Sequence, residues 1–210
     1  MDDEVLGCAS FLIPKVIGEK CTDITVFYHS CTHPIVSYKI LKEENNNLIE
    51  FIGCHRIISK MASDEWKSVK HSDCLDTVAI RDLIDEFEHL LYEGKYETVL
   101  LPNPSYNQDH RQLYEAALTA LRPHDKIPFV KRVLVYEEIE TLGTLRNVNP
   151  FKPIYFRELL LEHKLKLYNF YKSQVRTHRS KNHIAHLAGV RGIQSNYTYA
   201  EAFEVLRWVE

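Results

Sequence analysis

Residues 97–136, ETVLLPNPSYNQDHRQLYEAALTALRPHDKIPFVKRVLVY, decide the fold. They open on a short apolar strand, 97–101 (ETVLL), and pass through the polar loop PNPSYNQ. A helix then runs from about 109 to 121, with Leu113, Ala117, Leu118 and Leu121 apolar, and stops near Pro123. A second strand follows at 131–136 (KRVLVY). Strand, helix and strand in this order argue for an α/β sheet that is largely parallel.

Outward from this stretch the alternation continues. Upstream, Ile80, Leu83, Ile84, Phe87, Leu90 and Leu91 recur at the spacing of one apolar helix face, and Gly94 ends the pattern. Further upstream, 23–29 (DITVFYH) reads as a buried strand. The Asn-rich run 45–47 reads as a loop, followed by helical spacing at Leu48, Phe51, Ile52, His55 and Ile58. Residues 73–76 read as another loop. Residues 4–17 carry helical spacing, which Pro14 kinks or ends, with Gly18 as a stop. Downstream, a long helix is expected at about 157–175 and a short one at about 199–208. No repeat or low-complexity linker interrupts the chain, so residues 1–210 are expected to form a single domain with a helical C-terminal section.

Composition narrows the classes. The chain has 210 residues, 45% hydrophobic and 26% charged, as folded domains do. Lys and Arg number 26 against 29 Asp and Glu, a net charge of −3 that argues against nucleic acid as the main partner. No run approaches the ~20 apolar residues of a membrane helix. The start is acidic (Asp2, Asp3, Glu4), unlike a secretory signal. Five scattered cysteines, at 8, 21, 31, 54 and 74, form no C-x-x-C pair and are expected to be reduced thiols in a cytoplasmic protein. Only seven glycines are present, with no Gly-rich phosphate loop, so a nucleotide-binding role ranks last.

In open α/β sheets, ligands bind beyond the carboxyl ends of the strands. The polar segments expected there are 29–33 (HSCTH) and 103–110 (NPSYNQDH). In the second, Asp109 fits a helix N-cap and His110 falls in the first helical turn. A lone His there is more often a satisfied histidine than a ligand. Asp2-Asp3-Glu4 precede the first helix. Two adjacent carboxylates point in different directions, so one can bind a metal while the other handles a proton. Their plainer role is favourable charge at a helix start, worth ~0.3–1 kcal/mol.

Together these segments resemble the PIG-L/LmbE-like zinc-dependent de-N-acetylases. DDEVLGC at 2–8 looks like the tail of the signature His-Pro-Asp-Asp-Glu-x-x-x-Gly, and NQDHR at 107–111 like the second motif. SDCLDTV at 72–78, YKSQV at 171–175, HLAGVRG at 186–192 and YAEAFEVLR at 199–207 resemble the middle and closing segments, in the right order. The resemblance implies a Rossmann-like, mostly parallel sheet flanked by helices. It implies a Zn2+ cofactor, with Asp3 and His110 as metal ligands and Asp2 as the general base. The implied reaction is removal of an N-acetyl group from an amino sugar or glycoconjugate, since zinc lowers the pKa of its water to ~7 and polarises the acyl oxygen.

Two departures qualify it. Met1 stands before Asp2, so the His-Pro of the signature, whose His is a ligand, has no counterpart, and neither has the family's first strand. The chain is therefore expected to be recorded from an internal start, with the N-terminal strand missing. The alternative is a catalytically impaired remnant that acts as a binding protein. Secondly, Asn107 stands where many members have His. Asn can donate a hydrogen bond to a developing oxyanion but cannot act as an acid. His29 or His33 could partly replace the missing ligand. Tyr106 and Arg111 could touch a sugar, with packing and solvation as equally good explanations. His178-Arg179-Ser180 could contribute to a substrate wall, though it reads first as a plain loop. Asn196-Tyr197-Thr198 matches a glycosylation pattern that a chain without a secretory signal does not use.

Overall fold

The computed structural model describes residues 2–12, 24–27, 38–52, 57–60, 75, 78–139 and 151–210. In chain order the elements are α1 (Asp3–Leu12), β1 (Ile24–Phe27), α2 (Tyr38–Ile52), β2 (Ile57–Lys60), α3 (Ile80–Gly94), β3 (Thr98–Pro102), α4 (Gln108–Ala120), β4 (Arg132–Tyr136), β5 (Tyr155–Glu158), α5 (Leu161–Tyr168), α6 (Lys181–Ser195) and β6 (Ala200–Trp208). β1 and β2 pair in parallel, and a second sheet has the order β3-β4-β6-β5. The chain divides into two compact units, Met1–Asp73 with Phe156–Ala202, and Cys74–Tyr155 with Phe203–Glu210.

The second unit holds the fold-deciding stretch. β3 and β4 run parallel, from Thr98↔Arg132 to Pro102↔Tyr136, with α4 as the crossover between them. Val133, Leu134, Val135 and Tyr136 are all buried, the continuous apolar pattern of a strand covered on both faces. α3 turns Leu83, Phe87, Leu90 and Leu91 inward and packs on α4, whose buried face is made of the small residues Ala116, Ala117 and Ala120. Helix α3 closes at Lys95, in the left-handed conformation, whose N–H bonds the Leu91 carbonyl.

The expected C-terminal helix at 199–208 is a strand instead. β6 runs antiparallel to β4, with a register shift where Val133 faces Arg207 and Leu134 faces Val205, so Leu206 is the extra residue of a bulge. Ala, Glu and Leu favour helix, but propensity is a weak prior. The free edge of β4 needs hydrogen-bond partners, and this segment supplies them. The sheet is therefore mixed, on an α/β plan with flanking helices.

The first unit departs further from expectation. The long helix expected at 157–175 is β5, α5 and two 3₁₀ turns, Lys172–Gln174 and Thr177–Arg179. α6 is additional to the expected elements. Its signals are Ser180, which caps it by accepting from the His183 N–H, and Asn196, which ends it at φ 59°. Gly192 lies where that end folds back, since a Cβ there would meet the Thr198 carbonyl oxygen at 2.5 Å. Asn45–Asn47 lie inside α2, not in a loop, because Leu41, Asn45, Leu48 and Ile49 form one buried helical face. Ile58 belongs to β2 rather than to a helix. The 29–33 segment, with His29 and His33, lies outside the described residues, as do Pro14 and Cys21, Cys31, Cys54 and Cys74.

Candidate metal centre

The loop from Pro102 to α4 is held by its own polar groups. Ser105 N–H donates to the Asn103 carbonyl at 2.7 Å, and Asn107 N–H donates to Ser105 Oγ at 3.3 Å. Asn107, not Asp109, is the N-cap of α4: its Oδ1 accepts from the Asp109 N–H at 2.9 Å. Asp109 is thereby released to accept from the Leu75 N–H at 2.8 Å, and Gln112 Nε2 donates to the Val78 carbonyl at 3.1 Å. These bonds tie together two of the motif-bearing segments, 72–78 and 107–111.

His110, in the first turn of α4, is buried. Its Nδ1 lies 2.8 Å from Glu138 Oε2, just beyond the carboxyl end of β4. Its Nε2 lies 3.4 Å from Asn107 Nδ2. The capping bond fixes the orientation of the Asn107 amide, so Nδ2, which only donates, faces the ring. In that contact Nε2 is the acceptor. Glu138 is not among the residues singled out from sequence. Its signal is nonetheless present: Glu137-Glu138 follow the KRVLVY strand at its carboxyl end, the place where α/β sheets bind ligands.

The acidic start of α1 is equally built. Asp2 is buried, its carbonyl accepts from the N–H groups of Val5 and Leu6, and its Oδ2 receives Arg179 Nη1 at 2.8 Å. Burial pushes the Asp2 carboxyl up to about 7; neighbouring Asp3 adds to the rise, and Arg179 opposes it. Burial also raises Glu4, against the hydrogen bond it receives from the Tyr171 hydroxyl. Tyr171, from the YKSQV segment, reaches Asn45 of α2 at 2.8 Å as well. Arg179, expected in a plain loop, is a buried partner of Asp2 whose carbonyl accepts from the Tyr168 hydroxyl at 2.9 Å.

Of the residues singled out from sequence, Asp3 and His110 come together, joined by Glu138. One ligand atom from each lies within 4.8 Å of the others. One imidazole nitrogen and two carboxylate oxygens, largely withdrawn from solvent, fit a divalent cation such as zinc, which takes three protein ligands in its catalytic sites. Tyr106 is half exposed, and Arg111 donates to the Ser105 carbonyl at 3.2 Å, holding the loop.

No family profile and no curated relative matches the chain. Solved structures do. The conserved protein TT1542 from Thermus thermophilus aligns with a TM-score of 0.74 at 17% identity, over 100% of this chain and 92% of that one. N,N'-diacetylchitobiose deacetylase from Pyrococcus horikoshii gives 0.73 at 16%, over 98% of this chain and 80% of that one. The 4-carboxy-2-hydroxymuconate hydratase GalB from a Pseudomonas strain gives 0.68 at 16%, over 100% and 94%. The chain thus has the α/β fold shared by these structures, a deacetylase and a hydratase among them, and within it Asp3, His110 and Glu138 form a cluster that could hold a metal ion.

Proposed function

We propose that the chain is a metal-dependent hydrolase that removes the acetyl group from the nitrogen of an amino sugar or glycoconjugate, in the cytoplasm. The observation that carries this reading is the convergence of Asp3, His110 and Glu138. The resemblance of the 2–8 and 107–111 segments to de-N-acetylase motifs supports it. A bound divalent ion at these residues supplies Lewis-acid polarisation of the acyl oxygen and a lowered pKa for water.

The chain's own groups account for the rest. Hydrolysis joins the water oxygen to the acetyl carbon, breaks the C–N bond and releases acetate and the free amine. Asp2 takes the proton from the attacking water and delivers it to the leaving nitrogen. Arg179 holds the Asp2 carboxylate in place through Nη1. Asn107 Nδ2 donates toward the developing oxyanion.

Acetate release from N-acetylglucosamine and N,N'-diacetylchitobiose tests the reading. Release that a chelator abolishes and added zinc restores is expected. A zinc-loaded protein that releases no acetate from any N-acetylated sugar overturns it. A second reading follows from the hydratase of the same fold, because fold does not fix chemistry. Water addition to an unsaturated carboxylate, without acetate release, would favour that one.

A further inference from the structure

Helix α1 is broken in the middle. Cys8 has φ −140° and ψ 31°, outside the helical region, so two helical segments meet there. An unbroken helix would join the Ser10 N–H to the Leu6 carbonyl. Here each of these groups receives a buried side chain. Glu201 of β6 accepts from the Ala9 N–H at 3.0 Å through Oε1 and from the Ser10 N–H at 2.8 Å through Oε2. Lys164 of α5 donates from Nζ to the Leu6 carbonyl at 2.6 Å. Lys164 and Glu201 then bond each other at 2.7 Å, which closes the circuit. Both side chains are almost fully buried. The signs match the helix ends: a carboxylate at the start of the second segment and an ammonium at the end of the first.

The segment so held is the one that carries Asp3 in its first turn, with Asp2 immediately before it. The circuit is costly, since two charges must leave water to make it. A plain apolar contact would pack α1 on α5 without that cost. What the charged circuit adds is a fixed angle at the break, and therefore a fixed direction for the N-terminal turn. We propose that Lys164 and Glu201 are positioning residues of the metal centre, acting through the broken helix to set where Asp3 presents its carboxylate. This rests on the metal-dependent reading above.

Cobalt(II) binding to the full chain tests it, read by the d–d absorption of the bound ion and by titration. The parent protein is expected to bind one cobalt. The double variant Lys164→Met/Glu201→Gln, which removes both charges together, is expected to keep a cooperative fold by circular dichroism. It should bind cobalt ~10–100-fold more weakly, with an altered d–d spectrum, the range seen when support of a metal ligand is lost. If the double variant does not fold, Glu201→Asp takes its place. It keeps the charge but cannot span both N–H groups, and a loss of ~10-fold or more is expected, within that range. A variant that melts at a lower temperature yet binds cobalt with unchanged affinity and spectrum at 10 °C overturns the inference, since that is what a merely structural role gives. A parent protein that binds no cobalt overturns the metal reading itself, and the positioning role with it.

Discussion

Asp2→Asn is expected to lower acetate release by ~10²–10⁴-fold while bound metal stays in place. The substitution keeps the size of the side chain and removes its ability to hold a proton from water. The three proposed ligands, Asp3, His110 and Glu138, are untouched, so metal content should match that of the parent. The amide can still meet Arg179 through its oxygen, which limits the structural effect. Turnover by single-turnover assay, together with metal analysis of the same sample, separates the two outcomes. A loss of metal along with activity would assign Asp2 to the ligand set. Activity within a few-fold of the parent would remove Asp2 as the base.

Lys164→Met alone is expected to destabilise the fold by ~3–5 kcal/mol, the range for breaking a buried ion pair from one side. Met matches the length of the lysine stem but leaves the Glu201 carboxylate without its counter-charge and the Leu6 carbonyl without its donor. The two N–H groups that Glu201 accepts soften the loss, so the lower end of the range applies. Chemical unfolding of parent and variant reads it as a shift in midpoint at constant slope. Removing both charges should cost much less than removing one, because the carboxylate is then no longer stranded. Equal losses for the single and double variants would show that the pair is not coupled.

The βαβ stretch was legible because its signals are local. An apolar strand, a capped amphipathic helix and a second apolar strand each announce themselves within a dozen residues, and α3, β3, α4 and β4 lie within a residue or two of expectation. The C-terminal third was not legible, for a non-local reason. β6 is a strand because β4 offers an edge, and nothing in YAEAFEVLR itself records that edge. The same holds at the metal centre. His110 could be picked out from its place at a strand-to-helix junction, and Asp3 from its resemblance to a signature. Glu138 required applying the strand-end rule to β4 as well as to β3. The pairing of Arg179 with Asp2 and the role of Glu201 could not be found from sequence, since each depends on a partner more than 170 residues away.

Zinc titration of the metal-stripped chain, followed by calorimetry, addresses the centre itself. The parent should bind one equivalent. His110→Ala and Glu138→Gln should each weaken binding by more than the ~10–100-fold that loss of a merely supporting residue costs. A parent that takes up no zinc, or variants that bind it as tightly as the parent, would contradict a metal centre built from Asp3, His110 and Glu138.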